Sequence, residues 1–124
     1  MPRALGWEVR HTSVSTGHNS DKFYRLLVVG DVLIVNYGRM GSAGRFKIDK
    51  CGSVQAARET ALRVTGEKER QREAYLPFRE PAVFEVDEDD LHNCLHGSAS
   101  QSQQAKTRIV RAFTDAAPTL PWPH

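Results

Sequence analysis

The apolar and polar positions of the chain change period along its length. Trp7 and Val9 alternate with Glu8 and Arg10, a period-two pattern that predicts a first strand within residues 5–14 with one face wet. The segments Phe23-Tyr24-Arg25-Leu26-Leu27-Val28-Val29 and Val32-Leu33-Ile34-Val35 are dense in β-branched and aromatic residues and predict two more strands. Gly30-Asp31 between them is a two-residue connection with glycine first, as a type II′ hairpin turn requires. The third strand runs on through Asn36 and Tyr37 to Gly38 and Arg39. After the tip Met40-Gly41-Ser42-Ala43-Gly44, Arg45-Phe46-Lys47-Ile48-Asp49 alternates again, so Phe46 and Ile48 face a core while Arg45 and Lys47 face solvent. A second hairpin with a glycine-rich tip follows from this.

Beyond residue 50 the period becomes helical. Ser53 is an N-cap, Val54, Ala57, Ala61 and Val64 recur at roughly helical spacing, and Glu59 can pair with Arg63 one turn on. This predicts one helix of about three to five turns packed on the sheet, which Gly66 either ends or interrupts. Residues 15–21 read as a loop. Tyr75-Leu76-Pro77-Phe78 reads as an edge strand or a strap, with Pro77 favouring the edge. From residue 79 onward come an acidic run at 87–90, a Ser/Gln-rich stretch at 97–104 and, within residues 118–124, three of the six prolines, which together predict a mostly flexible tail. Residues 106–114 can form a short helix with Ile109, Val110 and Phe113 on one face, but so short a helix needs a partner in water. The expected fold is α+β: a small twisted antiparallel sheet with one packed helix, residues 5–78, followed by an acidic and then polar tail, residues 79–124.

Composition narrows the function classes. The 124 residues suffice for one domain, and 40% hydrophobic with 26% charged residues is globular rather than disordered. No apolar run approaches a membrane span and residues 1–11 lack the apolar core of a signal peptide, so the expected location is cytoplasmic, without membrane insertion. Cys51 and Cys94 are the two cysteines, too few for a disulfide framework. The formal net charge of +2 conceals an asymmetry: residues 1–78 hold thirteen basic against eight acidic residues, residues 79–124 four against seven. The basic part permits a polyanionic partner.

The candidate chemistry is thin for an enzyme. The glycine-rich loop 38–44 lacks the Gly-Lys-Ser/Thr ending of a P-loop and joins two strands rather than a strand and a helix. His92-x-Cys94-x-His96 has metal-ligand residue types, but alternate positions in a polar tail do not build a tetrahedral site. Cys51 follows Lys50 with no histidine placed beside it by the sequence, and reads as a bystander thiol. No acid/base pair is recognisable, so the expectation is a non-enzymatic protein with no cofactor, no bound metal and no small-molecule substrate. Arg39, Arg45, Lys47 and Lys50 come from two strands joined by one short loop, and Lys22 and Arg25 on the neighbouring strand extend the patch; such cations would bind a phosphate backbone with strongly salt-dependent affinity. On the helix, Lys68, Arg70 and Arg72 alternate with Glu67, Glu69 and Glu73, which reads as a self-cancelling soluble face.

Several of these features occur in a familiar order. Asn19 and Lys22-Phe23-Tyr24 precede a long strand, Tyr37-Gly38-Arg39 ends the next, Gly41-x-x-Gly44 forms the loop, and Ser53 opens a helix after Phe46 and Lys47. In this the sequence, over residues 5–78, resembles the WGR domain, a module named for a Trp-Gly-Arg tripeptide and found in DNA-dependent poly(ADP-ribose) polymerases and many bacterial proteins. The resemblance implies a sheet with one helix across it and a role in binding nucleic acid or another domain. In the polymerases the tripeptide lies beside the DNA backbone near a break, the tryptophan packing on the nucleotide and the arginine approaching the phosphates. By that likeness Tyr37 and Arg39 inherit these contacts, with Gly38, Arg45, Lys47 and Lys22 around them, and the expected partner is DNA at ends or nicks in a repair setting. Tyr37 departs from the family's tryptophan and offers a smaller flat face. The competing expectation is a protein-interaction module that docks on a separate partner in trans through the sheet or the tail. The acidic run at 87–90 would then repel DNA or fold back over the basic patch as an internal DNA mimic.

Overall fold

A computed structural model of the chain describes residues 2–12, 21–72 and 74–118. In chain order the elements are β1 (Arg3–His11), β2 (Lys22–Val29), β3 (Val32–Arg39), β4 (Arg45–Lys50), α1 (Val54–Glu69), β5 (Leu76–Glu85), α2 (Glu88–His96) and α3 (Ala99–Asp115). The five strands form one open antiparallel sheet in the order β4-β3-β2-β1-β5. The fold is therefore α+β. The expected loop at 15–21, apart from Asp21, lies outside the described residues, as do Asn19 of the motif and the last prolines.

Both hairpins read from the sequence form. Gly30 takes φ 59°, the left-handed position that opens a II′ turn, and β2 and β3 pair outward from Val29 opposite Val32. Two-residue turns fix register, so the pairing continues to Tyr24 opposite Tyr37 and Lys22 opposite Arg39. In the second hairpin the loop folds back on the strand, bringing Gly44 so close to Gly38 that a Cβ on Gly38 would meet the Gly44 Cα at 2.9 Å. Glycine at 38 is thus a packing requirement.

The sheet carries helices on both faces. On one, α1 lays Ala57 and Ala61 against Trp7, Leu26, Val28, Leu33 and Val35. Small residues let the helix approach closely, and Trp7 fills the space beneath it, its indole Nε1–H donating to Thr65 Oγ1 at 2.8 Å. Ser53 caps this helix as expected, its hydroxyl accepting from the Ala56 N–H at 3.0 Å. The helix runs through Gly66 without interruption, and Arg63 pairs with Glu67 at 3.0 Å rather than with Glu59.

The second face corrects the expected flexible tail. Residues 76–85 form an edge strand, and α2 and α3 lay Cys94, Ala105, Ile109 and Phe113 over Ala4, Leu27, Val29, Val32, Ile34 and Phe84. The missing partner of the 106–114 helix is this half of the sheet. Its core is already signalled in the sequence: Leu26 to Val29 and Val32 to Val35 are continuously apolar, which a sheet covered on one face only does not need. Polar composition concealed the helices because their outer faces and caps use it. Ser98 and Gln101 form a reciprocal capping box on α3, and Asp87 caps α2 by accepting from the Asp89 and Asp90 N–H groups.

A second correction concerns β1, expected to have a wet face. Glu8 is wholly buried, where three arginine side chains approach its carboxylate. Alternation identified the strand correctly, but ion pairing rather than solvent satisfies the polar position.

Candidate nucleic-acid interface

Residues directly opposite each other in an antiparallel pair share a face, and alternate residues along a strand share it too. Tyr24, Tyr37 and Arg45 therefore stand in a row across β2, β3 and β4, with Lys22 and Arg39 forming the next row outward and Lys47, opposite Val35, the next inward. All lie on the α1 face, at the end of the sheet where β2 begins and β3 ends. Of the residues selected from the sequence, Lys22, Tyr37, Gly38, Arg39 and Arg45 line two adjoining grooves at this end, of about 260 and 480 Å3. Lys47 shares the face but lies beside the grooves, its amino group 4.0 Å from the Asp49 carboxylate. Lys50, opposite Val32, sits at the far end of β4 on the other face, and Arg25 also points to the other face. The basic patch is narrower along the sheet than strand proximity suggested.

It is broader toward the helix. Tyr24 stacks on Tyr37 with ring centroids 5.7 Å apart and planes at 26°, and Tyr75 meets Tyr24 edge-on at 6.2 Å. Lys68, near the end of α1, holds its ammonium 4.9 Å from the Tyr24 ring centre and 5.8 Å from that of Tyr75. Such cation–π contacts fix the lysine over the rings while leaving its charge available. His11, Lys22, Lys68, Arg72 and Tyr75 line a further groove of about 450 Å3 adjoining the first. Of the alternating charges at the end of α1, Lys68 lies over the tyrosine rings, since neighbours in sequence point about 100° apart on a helix.

Sequence reasoning missed Tyr24, Tyr75 and Lys68. For Tyr24 the signal was present: counting outward from the two-residue turn places it opposite Tyr37. Burial, then the neighbouring Tyr37 and Tyr75 and the acidic Glu67 and Asp49, push the Tyr24 phenol above its ordinary pKa, so it is a neutral ring under physiological conditions.

The loop that carries Arg45 is held from behind. Asn36, fully buried, donates from Nδ2 to the Ala43 carbonyl at 3.0 Å and the Arg45 carbonyl at 3.1 Å, while its Oδ1 accepts from Arg25 Nη1 at 2.8 Å. Gly44, at φ 75°, fits only without a side chain, since a Cβ there would meet the Tyr37 carbonyl at 2.6 Å. At the loop tip the Ser42 hydroxyl donates to the Arg39 carbonyl at 2.7 Å. The cations are thereby presented on a fixed backbone.

The other sequence candidates do not assemble. His92 and His96 lie one turn apart on α2 with their rings tilted at 52°, whereas Cys94 is buried in the core, its thiol pushed up in pKa by that burial with Lys106 acting in the opposite sense. Among the described residues no group of three or more His, Cys, Asp or Glu is placed to hold a metal ion. The Cys51 thiol lies 3.8 Å from the Asp49 carbonyl. No described helix is long and apolar enough to cross a membrane.

The family model of the WGR domain matches residues 7–80. No curated protein matches. A crystal structure of a protein from Bacteroides fragilis is similar, with 24% sequence identity and a TM-score of 0.47, over 57% of this chain and 19% of that one. The chain thus spans under a fifth of that protein's length.

Proposed function

The chain belongs to the WGR-domain family, a binding module of nucleic-acid-binding type rather than a catalytic one, and from this we propose that it binds DNA at ends or nicks without sequence preference and without catalysing a reaction. The observation that carries the reading is the single row of Tyr24, Tyr37 and Arg45 across three strands, flanked by Lys22, Arg39 and Lys68. Flat rings accept a terminal sugar or base by stacking, worth about 1–3 kcal/mol per base in single-strand binders. The surrounding cations neutralise phosphates and release counterions. A break exposes a terminal base pair that an intact duplex keeps stacked, which is why the paired aromatic and cationic groups favour ends.

The arrangement of the acidic run supports a constitutive site. Asp87 caps α2 and Asp90 accepts from Arg108 at 2.7 Å, and α2 follows β5 at the end of the sheet away from Tyr37. Eight strand residues separate the two ends, on the order of 25 Å at about 3.3 Å per residue. An internal DNA mimic would have to give up those bonds.

Fluorescence anisotropy tests the proposal with four labelled ligands at two salt concentrations: a blunt duplex with 5′-phosphate, the same with 5′-hydroxyl, a hairpin-closed duplex and a single strand. Salt-sensitive binding that prefers open ends is the expected result. Equal affinity for the closed hairpin would remove end recognition, and no binding to any ligand at low salt would overturn the nucleic-acid reading. The second reading would then lead: a protein partner in trans, favoured by Leu76 and Phe78, which stand 68% and 47% exposed on the outer strand β5.

A further inference from the structure

On the face opposite the tyrosines, at the same end of the sheet, lies a cluster that the reading above does not use. Glu8 is fully buried at its centre. Arg10 Nε donates to its Oε2 at 2.5 Å and Arg25 Nε to its Oε1 at 2.7 Å. Arg79 brings its Nε to 3.4 Å from Oε1, close enough for an ion pair but without hydrogen-bond geometry, and this buried Nε has no hydrogen-bond partner. Three guanidinium groups thus converge on one carboxylate, leaving two positive charges locally unbalanced.

The way the contacts are made decides what the surplus can do. All three arginines reach Glu8 through Nε, so the carboxylate does not occupy their terminal nitrogens. Arg25 spends Nη1 on Asn36 and is 14% exposed, while the side chains of Arg10 and Arg79 are 22% and 38% exposed. Their terminal nitrogens make no hydrogen bond among the described residues. Both also lie over the Phe78 ring, with guanidinium carbons 3.3 Å and 5.4 Å from its centre. Stacking and the Glu8 contact hold the two forks without consuming them, which lowers the entropy cost of engaging a ligand. The helices of this face stop short of the cluster: Phe113 of α3 packs at Gly6, and Glu8 and Arg10 come next on the same side of β1.

We propose that Arg10 and Arg79, aligned by Glu8 and Phe78, form a second anion site that takes a phosphate group. Two planar forks with outward donors match a tetrahedral oxyanion bidentately, and the unbalanced charge favours a dianion over chloride. Arg10 precedes His11 on β1, and His11 lines the groove beside the tyrosines, so the continuation proposed is of a phosphodiester chain from that groove past His11 onto this site. That continuation rests on the nucleic-acid reading; the anion site itself does not.

The two parts are tested separately on the full chain. Arginine side-chain Nε–H signals are followed by NMR during titration with inorganic phosphate, against chloride at matched ionic strength. The comparison covers the native chain, Arg79→Lys, which keeps a cation beside Glu8 but loses the fork, and Tyr37→Ala, which leaves this face untouched. Saturable shifts of Arg10 and Arg79 in the native chain and in Tyr37→Ala, weakened at least ten-fold in a folded Arg79→Lys, are expected. Shifts that match the chloride control would overturn the phosphate site, and the native-chain titration decides this even if a variant fails to fold. For the continuation, Arg79→Gln should lower the slope of log affinity against log salt for a duplex by about 0.9, one phosphate contact. An unchanged slope with phosphate still saturating would leave the anion site and remove its link to the strand.

Discussion

The two faces of the sheet at the Tyr37 end are built from the same three strands, yet they solve opposite problems. On the α1 face Tyr24, Tyr37 and Arg45 stand side by side, with cations directed to solvent and rings stacked on each other. One residue over on each strand, Arg25, Asn36 and Phe46 form the other face, where Glu8 neutralises arginine charge and Asn36 ties down the glycine loop. The exposed face can afford unpaired cations because water solvates them, whereas the buried carboxylate behind exists only because arginines surround it. Those two halves are mechanically connected: the bonds that hold Arg45 in place come from the back. An exposed row of this kind is positioned by polar groups that lie behind it.

The largest test of this comparison is to remove what covers the far half of the back face. A chain ending at residue 85 would expose Leu27, Val29, Val32, Ile34 and Phe84, now buried beneath α2 and α3. At about 1.5–3 kcal/mol for each large side chain, the loss is on the order of 10 kcal/mol, comparable with the whole stability of a domain. Circular dichroism should show no cooperative thermal transition. A truncated chain that melts sharply would mean that α2 and α3 are accessories to an independent α1-face domain.

Next in size is the buried carboxylate. Glu8→Ala leaves Arg10 and Arg25 partly buried without their counter-charge, and breaking a buried pair by removing one partner costs about 3–5 kcal/mol. The partial exposure of both arginines places the expected loss near the lower figure. Chemical denaturation measures it, and a change below about 0.5 kcal/mol, the usual range for a surface substitution, would show that solvent already balances the cluster.

How much of this was legible in the chain differs between the faces for a physical reason. The α1 face follows from local signals: Gly30-Asp31 fixes register, Ser53 caps the helix, and Ala57 and Ala61 mark its contact stripe. Tyr37, Arg39 and Arg45 drew notice because they adjoin a glycine loop in an order that resembles the WGR tripeptide, and the place of Tyr24 opposite Tyr37 was within reach by counting from the turn. The back face depends on partners distant in sequence: Arg79 meets Glu8 and Phe113 meets Gly6 only once β5 and α3 have come round. A polar residue at a strand position reads as wet when its counter-ions are far along the chain. Serine and glutamine read as a flexible tail when they in fact cap a helix and coat its outer face. The unused clue was the unbroken apolar run of β2 and β3, which asks for cover on both sides.

A third prediction separates front from back. Arg39→Ala combined with Arg45→Ala removes two exposed cations and no buried contact. Affinity for a duplex end should fall by about 2 kcal/mol, roughly thirty-fold, while stability changes by less than about 0.5 kcal/mol. Retained affinity in this folded double variant would place the binding surface elsewhere.

The smallest effect reads the tyrosine stack itself. Burial is the main reason that the Tyr24 phenol titrates above its ordinary value, with Tyr37, Tyr75, Glu67 and Asp49 adding to it. As pH rises past 10 the unfolded phenol ionises before the folded one, so its contribution to stability, whole below that pH, declines until the folded phenol ionises too. Subtracting the phenolate absorbance of Tyr24→Phe from that of the native chain isolates this group, and its midpoint should lie above 10. A bound polyanion, by bringing negative charge to the rings, should raise it further. A midpoint at or below 10 would mean that the stack is open to water, and the two faces would then differ in charge alone.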